Sequence, residues 1–273
     1  MKENKNENEK KNESNNDKSE VIKQVKFDHY FKANSWPEYN RQFFDQLAPK
    51  YDQANLLHSF GGKARMDLTA VKRLPSLPSA MSTNAKILDL CTGSGDLAIL
   101  LAKRYPNAEI VGLDASSKML AVAKEKLQRL QIKNVSLLYG DAMRLPFPDH
   151  SFEGVFISFG LRNLLDPLLG LQEMIRVVKR GGFISNIDLG RPQHFPWTFL
   201  HKLYFLNIAP LLGKMLFHRK EYNSFYYLAK SSKFFMDQRE LVTTLKALGL
   251  QSVVNYDYYW GAAAQQIAIR PIP

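Results

Sequence analysis

Three acidic residues and one glycine-rich turn are the parts of this 273-residue chain most able to do chemistry. Asp89 lies in KILDLC, Asp114 closes EIVGLD, and Asp141 follows VSLLYG, so three apolar runs each carry an acid at or near their carboxyl end. Between the first two lies Gly93-Ser94-Gly95, where the missing Cβ atoms allow a tight turn and a close approach of backbone to ligand. With Ala98 the turn also fits the looser dinucleotide pattern GxGxxA, and by itself it is shared by nicotinamide-binding and S-adenosylmethionine-binding proteins. Asp114 stands where a carboxylate accepts both hydroxyls of a ribose; the plainer alternative is that it starts the turn into the helix at Ser116-Ser117. Asp141 with the small Ala142 suits an adenine ring, accepting from its exocyclic amine and leaving room for its plane. Several carboxylates would repel a pyrophosphate, and no second phosphate-binding device is visible, so a cationic amino-acid nucleoside fits better.

The elements that must position these groups follow from the hydrophobic pattern. From Lys86 onward, short apolar runs (KILDLC, EIVGLD, VSLLYG, FEGVFIS, GFISNID) alternate with helical periods at Asp96–Arg104, Ser117–Leu130 and Leu168–Lys179. That alternation implies crossover units, a mostly parallel sheet with helices on both faces, and a ligand site beyond the carboxyl ends of the strands. SVVNYDYY and QQIAIR make a final strand pair after a helix at Asp237–Leu248. Ahead of the core, Glu38–Leu47 and Lys63–Leu74 read as amphipathic helices, with Tyr51-Asp52 on a loop between them and PSLPSAMSTN as a linker. The expected domains are a polar tail (1–26), a helical segment covering the cofactor site (27–80) and the main domain (81–273), with a helical insertion at about 189–232.

Composition narrows the class. The net charge is +11, and the first 20 residues contribute −1, so the remainder is distinctly basic; nucleic acid, an anionic lipid surface and an anionic ligand are all compatible with that. Cys91 is the only cysteine, which excludes an intramolecular disulfide and a multi-cysteine zinc site, and no metal is expected. No secretory h-region follows the start and the first 40 residues lack Arg, so the expected location is the cytoplasm. The most apolar stretch, Phe195–Phe217, is broken by Pro196, His201, Lys202, Pro210 and Lys214 and falls short of a membrane span.

The strings ILDLCTGSGDLA, GLDASSKMLAVAKEKL, GDAMRLPFPDHSFEGVFISFGLRNLLDP and EMIRVVKRGG resemble the class I S-adenosylmethionine-dependent methyltransferases. More narrowly, ISFGLRN resembles the ubiquinone/menaquinone biosynthesis C-methyltransferases, over a span from about Phe44 to Gly261. The resemblance implies a Rossmann-like seven-stranded fold, S-adenosylmethionine as cofactor and a prenylated quinol as substrate. It implies that Gly93, Ser94 and Gly95 pass close to the methionine part, that Asp114 holds the ribose, that Asp141 and Ala142 flank the adenine, and that Ser158 sits near the transferred methyl. Ser94 stands where the family usually has Thr and Thr92 where Gly is common. NIDLGRP replaces a glutamate-containing strand end, and the usual Trp is missing after Leu56–Arg65.

Methyl transfer to carbon requires an electron-rich ring, and a quinol becomes one on losing a phenolic proton. The cation of Arg162 would favour the phenolate and Asn163 would hydrogen-bond the second ring oxygen. The structural alternatives are an Arg162–Asp166 ion pair and Asn163 as a helix cap. The base is not identifiable: Tyr51, Asp52, His58, His29 and water are all open, and Asp96 reads equally as a cap. Trp197, Phe199, Leu203, Tyr204, Phe205, Leu211, Leu212 and Phe217 fit a tunnel for the prenyl tail or a bilayer interface, with Lys202, Lys214, His218 and Arg219 toward lipid phosphates; ordinary core and a homodimer surface are the other uses. This implies peripheral contact with the inner face of a membrane. A base-methylating enzyme of RNA is the competing class, disfavoured by the missing Pro-Pro-aromatic motif and second cysteine; no nucleic acid is expected.

Overall fold

The computed structural model describes residues 36–59, 61–77, 85–208, 231 and 235–272. The expected tail at 1–26, His29, residues 78–84 of the linker, and Leu211, Leu212, Lys214, Phe217, His218 and Arg219 lie outside them, as do the side chains of His58 and Phe205.

Three helices precede the sheet: α1 (Trp36–Leu47), α2 (Tyr51–Ser59) and α3 (Gly62–Arg73). Tyr51-Asp52 was expected on a loop but opens α2, because Pro49 sits in the first turn of a short 3-10 helix, Ala48–Lys50, where its missing N–H costs nothing. The main domain then runs β1 (Lys86–Leu90), α4 (Asp96–Arg104), β2 (Glu109–Asp114), α5 (Ser117–Arg129), β3 (Val135–Tyr139), β4 (Phe152–Ser158), α6 (Pro167–Val177), β5 (Val178–Leu189), α7 (Trp197–Leu203), α8 (Gln238–Ala247), β6 (Gln251–Tyr258) and β7 (Ala263–Ile269). The seven strands order as β3-β2-β1-β4-β5-β7-β6, parallel from β3 to β5, with β7 antiparallel to both its neighbours. This is the Rossmann-like arrangement expected from the alternating pattern, closed by the strand pair read at the C-terminal end.

Strand alternation divides the core between the two faces. Leu88, Leu90, Val155 and Ile157 pack with Leu171 and Met174 of α6 and Leu241 and Leu245 of α8. Ile87, Ile110 and Phe156 pack on the other face with Met66, Ala70 and Val71 of α3 and Leu97 and Leu101 of α4. Asp89 and Ser158 share the parity of Ile87 and Phe156, so both point toward α3. This matters for the site.

Asp89 is 1% exposed and is held by a hydrogen bond that Thr92 Oγ1 donates to its Oδ2 (2.5 Å). Burial pushes its carboxyl up to about 7, against the Thr92 hydrogen bond that favours the charged form. The folded protein therefore keeps this proton between about pH 4 and 7, where the unfolded chain has released it, so stability falls as pH rises through that window and levels off above it. Asp89→Asn should remove a slope worth on the order of 1–4 kcal/mol, seen as a flatter urea-unfolding free energy between pH 5 and 8. The same slope in both proteins would show that Asp89 does not carry it.

Candidate active site

A cavity of about 290 Å³ opens beyond the carboxyl ends of β1, β2, β3 and β4 and is roofed by Asn40, Arg41, Phe44 and Tyr51 from α1 and α2. Its floor is laid by Cys91 and Gly93 after β1, Asp114 at the end of β2, Gly140 to Met143 after β3, and Ser158 to Gly160 at the end of β4. The backbone takes the left-handed region at Cys91, Gly93, Gly95 and Phe159 (φ 55°, 55°, 82° and 53°), so the chain turns sharply after both central strands.

Asp114 is the most constrained of these groups. Its Oδ2 accepts from Gly93 N and its Oδ1 from Ser116 N, both at 2.8 Å, which ties the glycine turn to the end of β2. Asp114 itself lines the cavity, and a carboxylate has about four lone-pair sites, more than these two donors use. Burial pushes this carboxyl up to about 6, opposed by those backbone donors. Ser116 is the N-cap of α5, accepting from Met119 N, so the turn-forming role of Asp114 and its place in the cavity wall coexist.

Asp141 and Ala142 both line the cavity. The Asp141 carboxylate accepts from Met143 N (2.9 Å) and is exposed, while Ala142 is buried. Ser94 and Gly95 do not line it. Ser94 is 2% exposed, donates to Asp52 Oδ1 (2.9 Å) and accepts from Lys126 Nζ (3.0 Å). A Cβ on Gly95 would come within 2.9 Å of the Ala123 Cβ, so this glycine lets α5 approach the turn rather than a ligand. Lys126 also bonds Asp52 and Asp96 at 2.6 Å each; Asp52 and Asp96 therefore clamp α2 and α4 to α5.

The turn after β4 holds the two residues proposed to activate a substrate, and they diverge. Asn163 lines the cavity, donates to Phe159 O (2.9 Å) and accepts at its own carbonyl from Asn40 Nδ2 (2.6 Å). Arg162 is 8% exposed and turns beneath the wall, donating through NH1 to Asp188 Oδ1 (2.6 Å) and Phe159 O (2.7 Å). Its Nε is buried and lacks a partner among the described residues. The ion-pair alternative named Asp166, but the partner is Asp188 at the end of β5, because Asp166 is occupied as the N-cap of α6, accepting from Leu169 N. That also replaces the reading of Asn163 as the cap.

Ser158 lines the cavity and donates through Oγ to Asp67 Oδ1 (2.9 Å) on α3; Asp67 is 1% exposed and its Oδ2 accepts from Lys63 Nζ (2.5 Å). The sequence reading passed over this pair. Its signal was present: Lys63 and Asp67 stand four apart in register with Ala70, Val71 and Leu74, on the apolar stripe of the helix rather than its wet face.

Three carboxylates (Glu38, Asp114, Asp141) and a single guanidinium (Arg41) line the cavity, so its wall is net acidic although the whole chain is basic. Arg41 is already held by Glu38, donating to it through NH2 and Nε at 2.7 to 3.2 Å. A positively charged nucleoside with free hydroxyls fits such a wall, and a nucleotide phosphate does not. Among the described residues there is no cluster of metal-ligating side chains, and no helix is long and apolar enough to cross a membrane.

Comparison with known proteins agrees with this geometry. The sequence profile of the ubiE/COQ5 methyltransferase family matches residues 32–270. A demethylmenaquinone methyltransferase of Bacillus cytotoxicus is 36% identical over 229 residues, covering 84% of this chain and 94% of its own length. One from Bacillus cereus (strain ATCC 10987 / NRS 248) is 35% identical over the same shares. Among solved structures, an S-adenosylmethionine-dependent methyltransferase of Thermotoga maritima superposes with a TM-score of 0.60 at 21% identity, covering 84% of this chain and 99% of that one. A phosphoethanolamine N-methyltransferase of Haemonchus contortus in complex with S-adenosyl-L-methionine gives 0.56 at 15% identity, over 76% and 53% of the two chains; at such identities these two show the fold alone. The chain belongs to the ubiE/COQ5 methyltransferase family and is an S-adenosylmethionine-dependent methyltransferase.

Proposed function

We propose that this enzyme methylates a ring carbon of a prenylated quinol, specifically converting a demethylmenaquinol to the menaquinol. The observation that carries the substrate is the 36% identity with a demethylmenaquinone methyltransferase over 94% of that relative's length. The acidic cavity is the physical counterpart for the cofactor, and no feature of the described residues favours RNA as the acceptor.

S-adenosylmethionine, when bound, supplies an activated methyl on a sulfonium. The chain's own residues then have separable tasks. Asp114 accepts the ribose hydroxyls on the lone pairs left free by Gly93 and Ser116. Asp141 and Ala142 take the adenine end, and Gly93 leaves space for the amino-acid end, since a Cβ there would meet nothing closer than Tyr51 at 3.9 Å. Ser94 and Gly95 support the turn from behind. Ser158 and Asn163 face the reacting end, Asn163 holding a ring oxygen. Arg162 braces the Phe159–Asn163 turn against Asp188, and its positive charge, partly balanced by that carboxylate, favours the deprotonated ring.

The prenyl tail leaves along α7, where Phe195 is 83% exposed, Phe199 59% and Trp260 63%, the last stacked on Trp197 at 3.8 Å. This face also meets the bilayer interface where the quinol resides. Cosedimentation with phosphatidylglycerol vesicles, reduced by Phe195→Ser and Phe199→Ser, tests it; a dimer in ultracentrifugation that these changes dissolve would assign the face to a second copy instead.

Two outcomes test the main reading. Cells lacking the gene should accumulate a demethylated menaquinone by mass spectrometry, and an unchanged quinone pool would overturn the substrate. With the purified protein, Asp114→Ala should weaken S-adenosylmethionine binding by roughly 10–100-fold in calorimetry, as expected for losing hydrogen bonds to a charged group. In the wild type, affinity should decline as pH falls through about 6, where Asp114 takes up its proton. Arg162→Ala should lower turnover far more than cofactor affinity; equal losses would remove it from substrate activation.

A further inference from the structure

The proton lost by the quinol needs an acceptor, and the cavity wall offers a short chain of groups leading away from it. Ser158 is the side chain at the end of β4 that borders both the cavity and the buried face of α3. Its one hydroxyl hydrogen is committed to Asp67 Oδ1, so toward the cavity Ser158 Oγ presents only lone pairs and must accept from whatever hydroxyl meets it. Asp67 is buried at 1% exposure, and its other oxygen is held by Lys63 Nζ, whose side chain is 16% exposed. Lys63 stays charged in spite of burial because Asp67 and Tyr51 raise its pKa, and the ammonium also lies 5.7 Å from the centre of the Phe159 ring. Asp89 is the other acid on this face; its charge is disfavoured by burial, and its Oδ2 is taken by Thr92.

We propose that Ser158 and Asp67 form the proton-accepting relay of the methyl transfer, with Lys63 holding the Asp67 carboxylate in place. The proposal rests on the quinol reading above. Ser158 is the catalytic residue, touching the substrate hydroxyl; Asp67 acts through it, and Lys63 is a positioning residue. In the forward step the quinol O–H breaks, its proton passes to Ser158 Oγ, and the Ser158 hydroxyl proton passes to Asp67 Oδ1. The oxygen's electron pair moves into the ring, the ring carbon bonds the methyl, and the C–S pair stays on sulfur. The hydrogen on the methylated carbon is then lost to water while Asp67 returns its proton through Ser158 to the ring oxygen. One proton is released overall and Asp67 ends ionised, as it began.

The relay separates from a structural role by substrate acidity. A stronger acid needs less help in losing its proton, whereas a packing defect slows every substrate alike. The full-length chain is assayed with a short-tailed demethylmenaquinol and with an analogue carrying an electron-withdrawing ring substituent, each variant being compared with wild type on the same substrate. Asp67→Asn should lower kcat on demethylmenaquinol by about 100-fold, typical of a lost general base, and the loss should shrink to about tenfold or less on the acidic analogue. For Asp67→Asn, S-adenosylmethionine affinity should remain within about twofold, since Asp67 lies behind the cavity wall and does not line it. Ser158→Ala, which leaves the Lys63–Asp67 pair intact and so keeps the test available if Asp67→Asn unfolds, should show the same acidity dependence. The double variant should be no slower than the worse single one, because two links of one relay are not additive. Losses equal on both quinols, or no loss, would overturn the relay alone; a wild-type enzyme that methylates neither quinol would overturn the substrate reading and the relay with it.

Discussion

The site depends on the hydrogen bond from Gly93 N–H to the Asp114 carboxylate. It joins the turn after β1 to the end of β2, adjacent parallel strands whose registered pairing runs from Lys86 with Glu109 to Leu90 with Leu113. Because the carboxylate also takes Ser116 N–H, the same group fixes the start of α5. Three backbone segments thus converge on one half-buried acid, whose elevated pKa records the cost of keeping it charged partly out of water. A ligand carrying positive charge and two hydroxyls offsets that cost, so the geometry and the electrostatics of the wall agree.

A second layer of charge pairs joins the helices to this frame. Lys126 gathers Asp52 and Asp96, Arg162 pairs with Asp188, and Lys63 pairs with Asp67. Arg162–Asp188 is buried at both ends and Lys63–Asp67 at its carboxylate, and burying a pair rarely stabilises a fold more than apolar packing would. Their use is positional. Arg162 bridges β5 to the turn after β4, while Lys63–Asp67 brings a carboxylate from α3 to the end of β4, where Ser158 meets the cavity. The roof follows the same pattern, with Asn40 reaching the carbonyl of Asn163 and Asp45 accepting from Ser116 Oγ. Cavity floor and roof are therefore mechanically connected.

This arrangement reconciles a basic protein with an acidic pocket. The +11 charge of the whole chain says little about the ligand, whereas the few groups turned inward decide it. Long-range charge bears on the surfaces the protein visits, and local charge on what it binds.

The residue pattern alone determined the parallel sheet and the glycine turn, because strand alternation and helical period are local properties that burial only has to honour. It also placed Asp114, Asp141, Ala142 and Asn163, which the fold gathers at one cavity, since strand ends in a parallel sheet meet at one edge. The tertiary structure decided what depends on contacts between distant segments. Arg162 faces Asp188, 26 residues away, instead of the nearer Asp166, and Ser158 donates to Asp67, 91 residues earlier. Ser94 and Gly95 lie behind the wall because α2 and α5 close over the turn. No periodicity encodes such pairings; they arise where packed faces bring two side chains together and leave each the other's best partner.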